Sequence, residues 1–399
     1  MKTAYVIFDS NDGGRVLDRF NYNSENELNR FVNERIEELK TNYYDNAWIV
    51  FDHYPNRECL PQNLQNFTLS KVYDRMSNEI RKPDGRNLKD SFDYAEWLKE
   101  FKEASHKSRG FRPEREKIFQ NTIKLVQSGN YLVKGKRVDI DNKSIFSEYF
   151  CSPTKLNPRT KFETRFSVVN ADCLETAEML KNSGLNPCVL NLANRHNPGG
   201  GVIKGSGAQE ENLFRRTNLF LSMYQFIDYA EQYGIKKGDN SYPLDKKSGG
   251  IYTGNATVFR GSENNGYCLL KEPIKMAFVS VPALNHPKLI KVNDLYCLSE
   301  RDVEYTKSRV RTILRIAGKH KHNCLVLGAF GCGAFRNPPN HIAKVFKEVF
   351  LEEEFYNAFK LVIFSIIEDR NSWMEHNPEG NVLPFLNVFD GFRTIIHKW

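Results

Sequence analysis

No run of apolar residues in the 399-residue chain approaches the length needed to cross a membrane. The amino-terminal stretch MKTAYVIFDSND reaches acidic residues too early for a secretory signal. A soluble, cytoplasmic protein with no membrane partner is the expectation. The eight cysteines form no Cys-x-x-Cys pair, and several, such as Cys188 and Cys324, fall in apolar runs. That pattern excludes a disulfide framework and points to buried thiols in a reducing compartment. A metal-ligand set is also missing. His320 and His322 stand one residue apart, but no second ligand pair follows at a suitable spacing, so neither metal nor cofactor is expected. Neither the dinucleotide fingerprint G-x-G-x-x-G nor the P-loop spacing occurs. No repeat or low-complexity tract is present. The net charge of +8 is a modest excess for this length. It favours phosphate-bearing partners only weakly and implies no specific nucleic acid.

What is present is an alternation of strands and helices. Ala4–Phe8 and Ala47–Phe51 read as strands. Between them, Ser24 opens an amphipathic helical pattern through Leu28, Phe31, Val32, Ile36 and Leu39. Charged, Gly- and Pro-containing stretches at 81–85 and 105–113 read as linkers. The expected division is an accessory α/β region over 1–105, a larger domain over 106–375 with a helical N-terminal extension, and a C-terminal tail over 376–399. In the larger domain a helix ends at Gly129. Continuous apolar strands then follow at Arg165–Asn170, Pro187–Ala193, Lys275–Val281, Cys324–Ala329 and Phe359–Ile367. Helices are expected after Asp172 and over Ala208–Gln225, Glu300–Ala317 and Asn340–Phe350. Uninterrupted apolar strands separated by helices imply a sheet covered on both faces, a layered α/β/α domain.

Two glycine-rich loops follow such strands. The first, Asn197-Pro-Gly-Gly-Gly201, leads after seven residues into Gln209-Glu210-Glu211. Consecutive glycines admit positive φ and close backbone approach, and a following helix presents free N–H groups to an anion. A plain flexible turn explains the glycines equally well when taken alone. The second loop, Gly328-Ala-Phe-Gly-Cys-Gly-Ala-Phe335, again lies at the C-terminal end of a buried strand, where ligands bind in open α/β sheets. Phe335 offers a flat face to a base or ribose, or else belongs to the core. Asp172 could accept a hydrogen bond from an adenine amino group or cap the following helix.

Together these segments resemble the microbial branch of the poly(ADP-ribose) glycohydrolases. The resemblance extends to Phe214-Arg-Arg-Thr, Val169–Ala177, Ile251–Arg260 and Val281–Asn285, and spans roughly 110–370. Departures are mild: Leu192-Ala-Asn stands where Phe-Ala-Ser is frequent, and Phe330 where tryptophan is. Residues 1–105 show no such likeness. The resemblance implies a three-layer macrodomain with a mixed central sheet that binds ADP-ribose, poly(ADP-ribose) or ADP-ribosylated protein. It implies hydrolysis of the ribose glycosidic bond. By position it makes Glu211 the catalytic glutamate and Glu210 the holder of ribose hydroxyls. Gly199, Gly200 and Gly201 would lie under the distal ribose and diphosphate, with Gln209 beside them. Gly331, Cys332, Gly333, Ala334 and Phe335 would form the second diphosphate loop, and Asp172 would lie near adenine. Asn197 or Asn194 would orient the distal ribose.

Glycoside hydrolysis ordinarily takes two carboxyl groups set apart across the bond. Adjacent helical residues diverge by about 100° and do not face one another. A single-carboxylate scheme is therefore expected, with Glu211 giving its proton to the leaving oxygen and then taking one from water. The helix N-terminus would oppose a protonated Glu211, while burial and Glu210 would favour it. Two other readings fit the same residues: a domain that only binds ADP-ribose, and a hydrolase of single ADP-ribose units on proteins.

Overall fold

A computed structural model describes residues 2–10, 13–24, 26, 27, 30, 47–51, 99–101, 111–157, 162–292, 295–369 and 371–389. The N-terminal region contains β1 (Lys2–Ser10), β2 (Gly13–Tyr22) and β3 (Ala47–Phe51), an antiparallel sheet in the order β2-β1-β3. The two expected strands are there. Strand β2, unforeseen, pairs with β1 around a bulge at Val6/Ile7. Most of the helical pattern after Ser24 lies outside the described residues.

The larger unit opens with α1 (Arg112–Ser128), which ends at Gly129 in the left-handed conformation that glycine adopts without strain. The hairpin of β4 (Asn130–Val133) and β5 (Lys136–Asp139) follows, then β6 (Phe146–Phe150), β7 (Arg165–Asn170) and α2 (Cys173–Asn182). Next come β8 (Pro187–Ala193), α3 (Gln209–Arg216), α4 (Leu219–Met223), β9 (Gly250–Arg260) and β10 (Leu269–Pro282). The hairpin of β11 (Ile290–Val292) and β12 (Leu295–Cys297) precedes α5 (Glu300–Lys319), β13 (Cys324–Leu327), α6 (Pro339–Phe350), β14 (Leu361–Ile366) and α7 (Val382–Phe389). Seven strands form one mixed sheet in the order β6-β9-β10-β8-β13-β14-β7. Strands β10, β8, β13, β14 and β7 are parallel, and β9 runs antiparallel to both neighbours. No helix among the described residues is long and apolar enough to cross a membrane.

Successive strand residues alternate between two cores, as side chains on opposite faces of a sheet must. Val189, Phe278, Val326 and Ile363 join one apolar cluster with α1 to α4. Leu190, Val279, Leu325, Leu327 and Phe364 join the other with α5 to α7. This is the expected α/β/α layering. Two expectations about boundaries change. The helix expected over Ala208–Gln225 breaks at Thr217, which is extended (φ −136°, ψ 170°) and bridges to Val258. Asn218 then exchanges hydrogen bonds with Thr257 (N to O, 3.2 Å; Thr257 N to Oδ1, 2.7 Å), so pairing with β9 competes with helix continuation. The segment expected as a C-terminal tail also contributes core. Val382, Phe385 and Phe389 are buried, and Phe389 stacks on Phe166 with 5.1 Å between ring centroids.

At the other end Phe101 is 4% exposed, stacks on Phe111 (4.3 Å) and lies under the Arg115 guanidinium (5.6 Å). A fragment beginning before Lys99 is therefore expected to fold, whereas one beginning at Glu114 loses both rings. Full burial of such side chains contributes about 1.5–3 kcal/mol each, so the shorter fragment should melt at a clearly lower temperature. Equal melting temperatures would contradict this packing role.

Candidate active site

The C-terminal ends of the parallel strands face one edge of the sheet, and both glycine loops lie there. Strand β8 pairs with β13 only through Val189, although β10 accompanies it to Ala193. The vacated edge of β8 is taken by one side chain from α3. Oε1 of Gln209 accepts from Leu192 N (2.9 Å), and Nε2 donates to Leu190 O (2.7 Å). Gln209 thus extends the sheet's hydrogen bonding and fixes where α3 begins; its amide meets backbone, not open space. With that anchor in place, Glu210 and Glu211 in the first turn both fold onto the first glycine loop.

Glu210 is 3% exposed. Oε1 accepts from Gly199 N (3.0 Å) and Asn191 Nδ2 (3.3 Å), and Oε2 accepts from Asn194 N (2.7 Å). Burial, followed by the charge of Glu211, pushes its pKa up to about 8, against the three donors that favour the carboxylate. Glu211 is also buried. Oε1 accepts from Gly201 N (2.8 Å), whereas Oε2 is enclosed without a hydrogen-bond partner. The two carboxyl groups are not kept apart as helical divergence suggested. A Cβ on Gly200 would lie 2.5 Å from Oε1 of Glu211 and 3.3 Å from Oε2 of Glu210, so the long side chains converge on that residue. The first loop also differs from an open anion nest. The N–H groups of Gly199 and Gly201 serve the glutamates and that of Gly200 serves Asn197 O (2.9 Å). Glycine is required because Cβ atoms would strike Phe214 at position 199, Glu211 at 200 and Ser206 at 201.

The second loop keeps its donors available. Its turns close through Cys332 N to Ala329 O (3.0 Å), Arg336 N to Gly333 O (2.9 Å) and Asn337 N to Gly331 O (3.0 Å). The N–H groups of Gly333, Ala334 and Phe335 have no acceptor among the described residues. Gly331 has φ +75°, and a Cβ there would lie 2.6 Å from Ala283. Cys332 is buried, which raises its thiol pKa well above the ordinary value. His376 donates from Nε2 to Cys332 O (2.8 Å), bracing the loop from the C-terminal segment. Phe335 is half-buried against the second core.

Asp172 caps α2, accepting from Leu174 N and Glu175 N (both 3.0 Å), and its other oxygen pairs with the buried Arg216 (2.7 Å). The capping alternative is therefore realised in full. Asn194 accepts at Oδ1 from His196 N (2.9 Å) and Asn197 N (3.1 Å), an Asx turn, while Asn197 is exposed. Residues not singled out from sequence also reach the site. Asn191 bridges Glu210 and Ser280 Oγ (3.0 Å). The buried hydroxyls of Tyr224 and Tyr242 lie within the field of Glu210 and have no hydrogen-bond partner. A polar Asn191 inside the apolar run Pro187–Ala193 was the one available signal. Among the described residues no three His, Cys, Asp or Glu side chains gather as a metal site would require.

Comparison with known proteins places this geometry. Residues 119–261 match the family model of the microbial-type PARG catalytic domain, PARG being poly(ADP-ribose) glycohydrolase. Among solved structures, the poly(ADP-ribose) glycohydrolase of Thermomonospora curvata bound to the inhibitor ADP-HPD is 27% identical, with a TM-score of 0.54 over 69% of this chain and 99% of that one. Another structure of the Thermomonospora curvata enzyme is 25% identical, with a TM-score of 0.56 over 70% and 100% of the two chains. Curated proteins gave no match.

The unequal bonding of the two glutamates leads to a stability difference. Glu210→Gln places an amide N–H₂ among three donors and should cost about 1–3 kcal/mol. Glu211→Gln keeps its acceptor for Gly201 and should cost much less. Denaturant midpoints of both variants measure this, and a Glu210→Gln protein as stable as the parent would contradict the bonding described.

Proposed function

As the chain is a glycosidase of the microbial poly(ADP-ribose) glycohydrolase type, we propose that it cuts the ribose glycosidic bond of poly(ADP-ribose) or of ADP-ribosylated protein and releases ADP-ribose. The observation that carries the chemistry is the enclosed, unpartnered Oε2 of Glu211. Three donors occupy the Glu210 carboxyl, which leaves Oε2 of Glu211 as the carboxyl oxygen free to exchange a proton with the substrate. In this scheme Glu211 protonates the leaving oxygen as the bond breaks, then accepts a proton from the water that adds to the ribose. Glu210 acts chiefly through the glycine loop and Asn194, holding the floor on which the ribose hydroxyls rest. The free N–H groups of Gly333, Ala334 and Phe335 receive the diphosphate, and the Phe335 ring lies against ribose or base. With Asn194 engaged in its turn, Asn197 is the residue that orients the distal ribose. The folded substrate diphosphate stabilises positive charge on the departing ribose. A module that only binds ADP-ribose has no use for a buried acid at this position.

The test is release of ADP-ribose from poly(ADP-ribose) across a pH series. The Glu210 carboxyl gives up its proton as pH rises through about 8, which adds negative charge beside Glu211. Turnover should accordingly fall above that point by one proton's dependence. No release from polymer or from mono-ADP-ribosylated protein would remove the proposal, and a flat profile well beyond pH 8 would show that the charge of Glu210 does not govern turnover.

A further inference from the structure

Beside the first glycine loop lies a cationic corner that the chemistry above does not use. Arg195 follows β8 directly, and its carbonyl accepts from Leu244 N (3.0 Å). Two residues before Leu244 stands Tyr242, which lies within the field of Glu210. The turn that begins at Asp245 is clamped to α5 by Thr312 Oγ1 to Ser248 O (3.3 Å) and by Arg309, whose Nε and Nη2 both donate to Lys246 O (3.3 and 2.8 Å). Arg309 is 3% exposed, yet its Nη1 is buried with no acceptor. Nε of Arg195 is likewise buried without one, and its Nη1 meets only the ring of His196 (3.2 Å). Neither guanidinium has an ion pair among the described residues. The nearby Asp245 already accepts Lys247 N and Ser248 N at Oδ1 (both 2.8 Å). Burial and the charge of Arg195 lower the Arg309 pKa to about 10, a cost that an enclosed cation normally offsets with a partner. The exposed Lys246 and Lys247 extend the patch outward. Lys246 and Arg301 both lie near the half-buried Tyr305 ring, at 5.8 and 5.5 Å from its centroid.

A planar guanidinium presents a donor fork that suits phosphate oxygens, and an adjacent ring supplies a stacking face. The corner borders the loop that carries Asn194 and Asn197, which puts it where chain beyond the cut bond would emerge. We propose that Arg195 and Arg309, with Lys246, Lys247 and Tyr305, form a subsite for the diphosphate of the ADP-ribose unit on the leaving side of the scissile bond. This rests on the reading of the site as a hydrolase of ADP-ribose polymers.

The subsite separates polymer from monomer. In the full chain, the triple variant Arg195→Gln/Lys246→Gln/Lys247→Gln should raise KM for poly(ADP-ribose) about tenfold, as lost charge-assisted bonds do. It should leave kcat and the calorimetric affinity for free ADP-ribose within about twofold, since the monomer makes no contact there. Arg309→Lys, which keeps a cation and a donor for Lys246 O, should shift KM less than Arg309→Gln. A second arm is independent of turnover. Parent protein saturated with ADP-ribose should still bind inorganic pyrophosphate, and the triple variant should not. An unchanged polymer KM, or a parallel loss of monomer affinity, overturns the proposal. So does a defect confined to mono-ADP-ribosylated acidic protein, which would assign the corner to protein carboxylates. If the parent releases no ADP-ribose, pyrophosphate binding by the saturated protein decides the subsite alone: its absence overturns the subsite, and its presence with loss in the variant keeps an anion site while the hydrolase reading falls.

Discussion

The geometry of the site depends on one buried carboxylate. Glu210 draws together a strand residue, Asn191, the backbone just beyond that strand at Asn194, and the first glycine at Gly199. A single side chain in the first turn of α3 thereby determines how the loop between β8 and α3 closes. Glycine at 199 to 201 follows from this, because Phe214, Glu211 and Ser206 occupy the space that side chains there would need. The closed loop leaves Oε2 of Glu211 enclosed and without a hydrogen-bond partner.

Around this centre the fold adds braces from distant parts of the chain. Arg115 of α1 pairs with Glu263 (2.6 Å), which accepts from the Tyr267 hydroxyl (2.7 Å). Tyr267 in turn receives Arg215 Nε (2.8 Å), and Arg215 Nη1 donates to Ser206 O (2.7 Å) inside the glycine loop. Groups buried in this way are costly unless paired, and here the pairing joins helix, strand and loop into one unit. The second loop has its own brace in His376. Glu368 supports the same segment by accepting Asn381 N (2.8 Å) and Val382 N (2.6 Å) at the start of α7. The N–H groups at 333 to 335 stay available because the other turns of the loop are closed by its own carbonyls.

Much of this was legible in the sequence, and the failures are instructive. Continuous apolar runs located the parallel strands, because strands covered on both faces need apolar residues at every position. The glycines and the acidic pair marked the site, because few local demands produce three glycines at the end of such a strand. Gln209 is different. Its side chain replaces a strand partner of β8, a role set by where β13 stops, which no local pattern encodes. The break at Thr217 escaped notice for a similar reason, since the helical periodicity continues through it and β9 competes only in the folded chain. Helix α7 was missed because its apolar residues follow a polar, turn-rich stretch. Divergence of adjacent helical residues separates only short, rigid side chains, whereas flexible glutamates such as Glu210 and Glu211 can turn toward donors that the loop supplies.

In the proposed scheme Glu211 acts in the reaction and contributes little to holding the ligand. The most direct measurement pairs single-turnover release of ADP-ribose with calorimetric binding of ADP-ribose, on Glu211→Gln and on the parent protein. General acid–base help is commonly worth about 10²–10⁴ in rate. The proposed scheme predicts a loss of that size in a folded variant whose ADP-ribose affinity stays within about twofold. Near-parental turnover, or a matching collapse of binding in a folded protein, would contradict it.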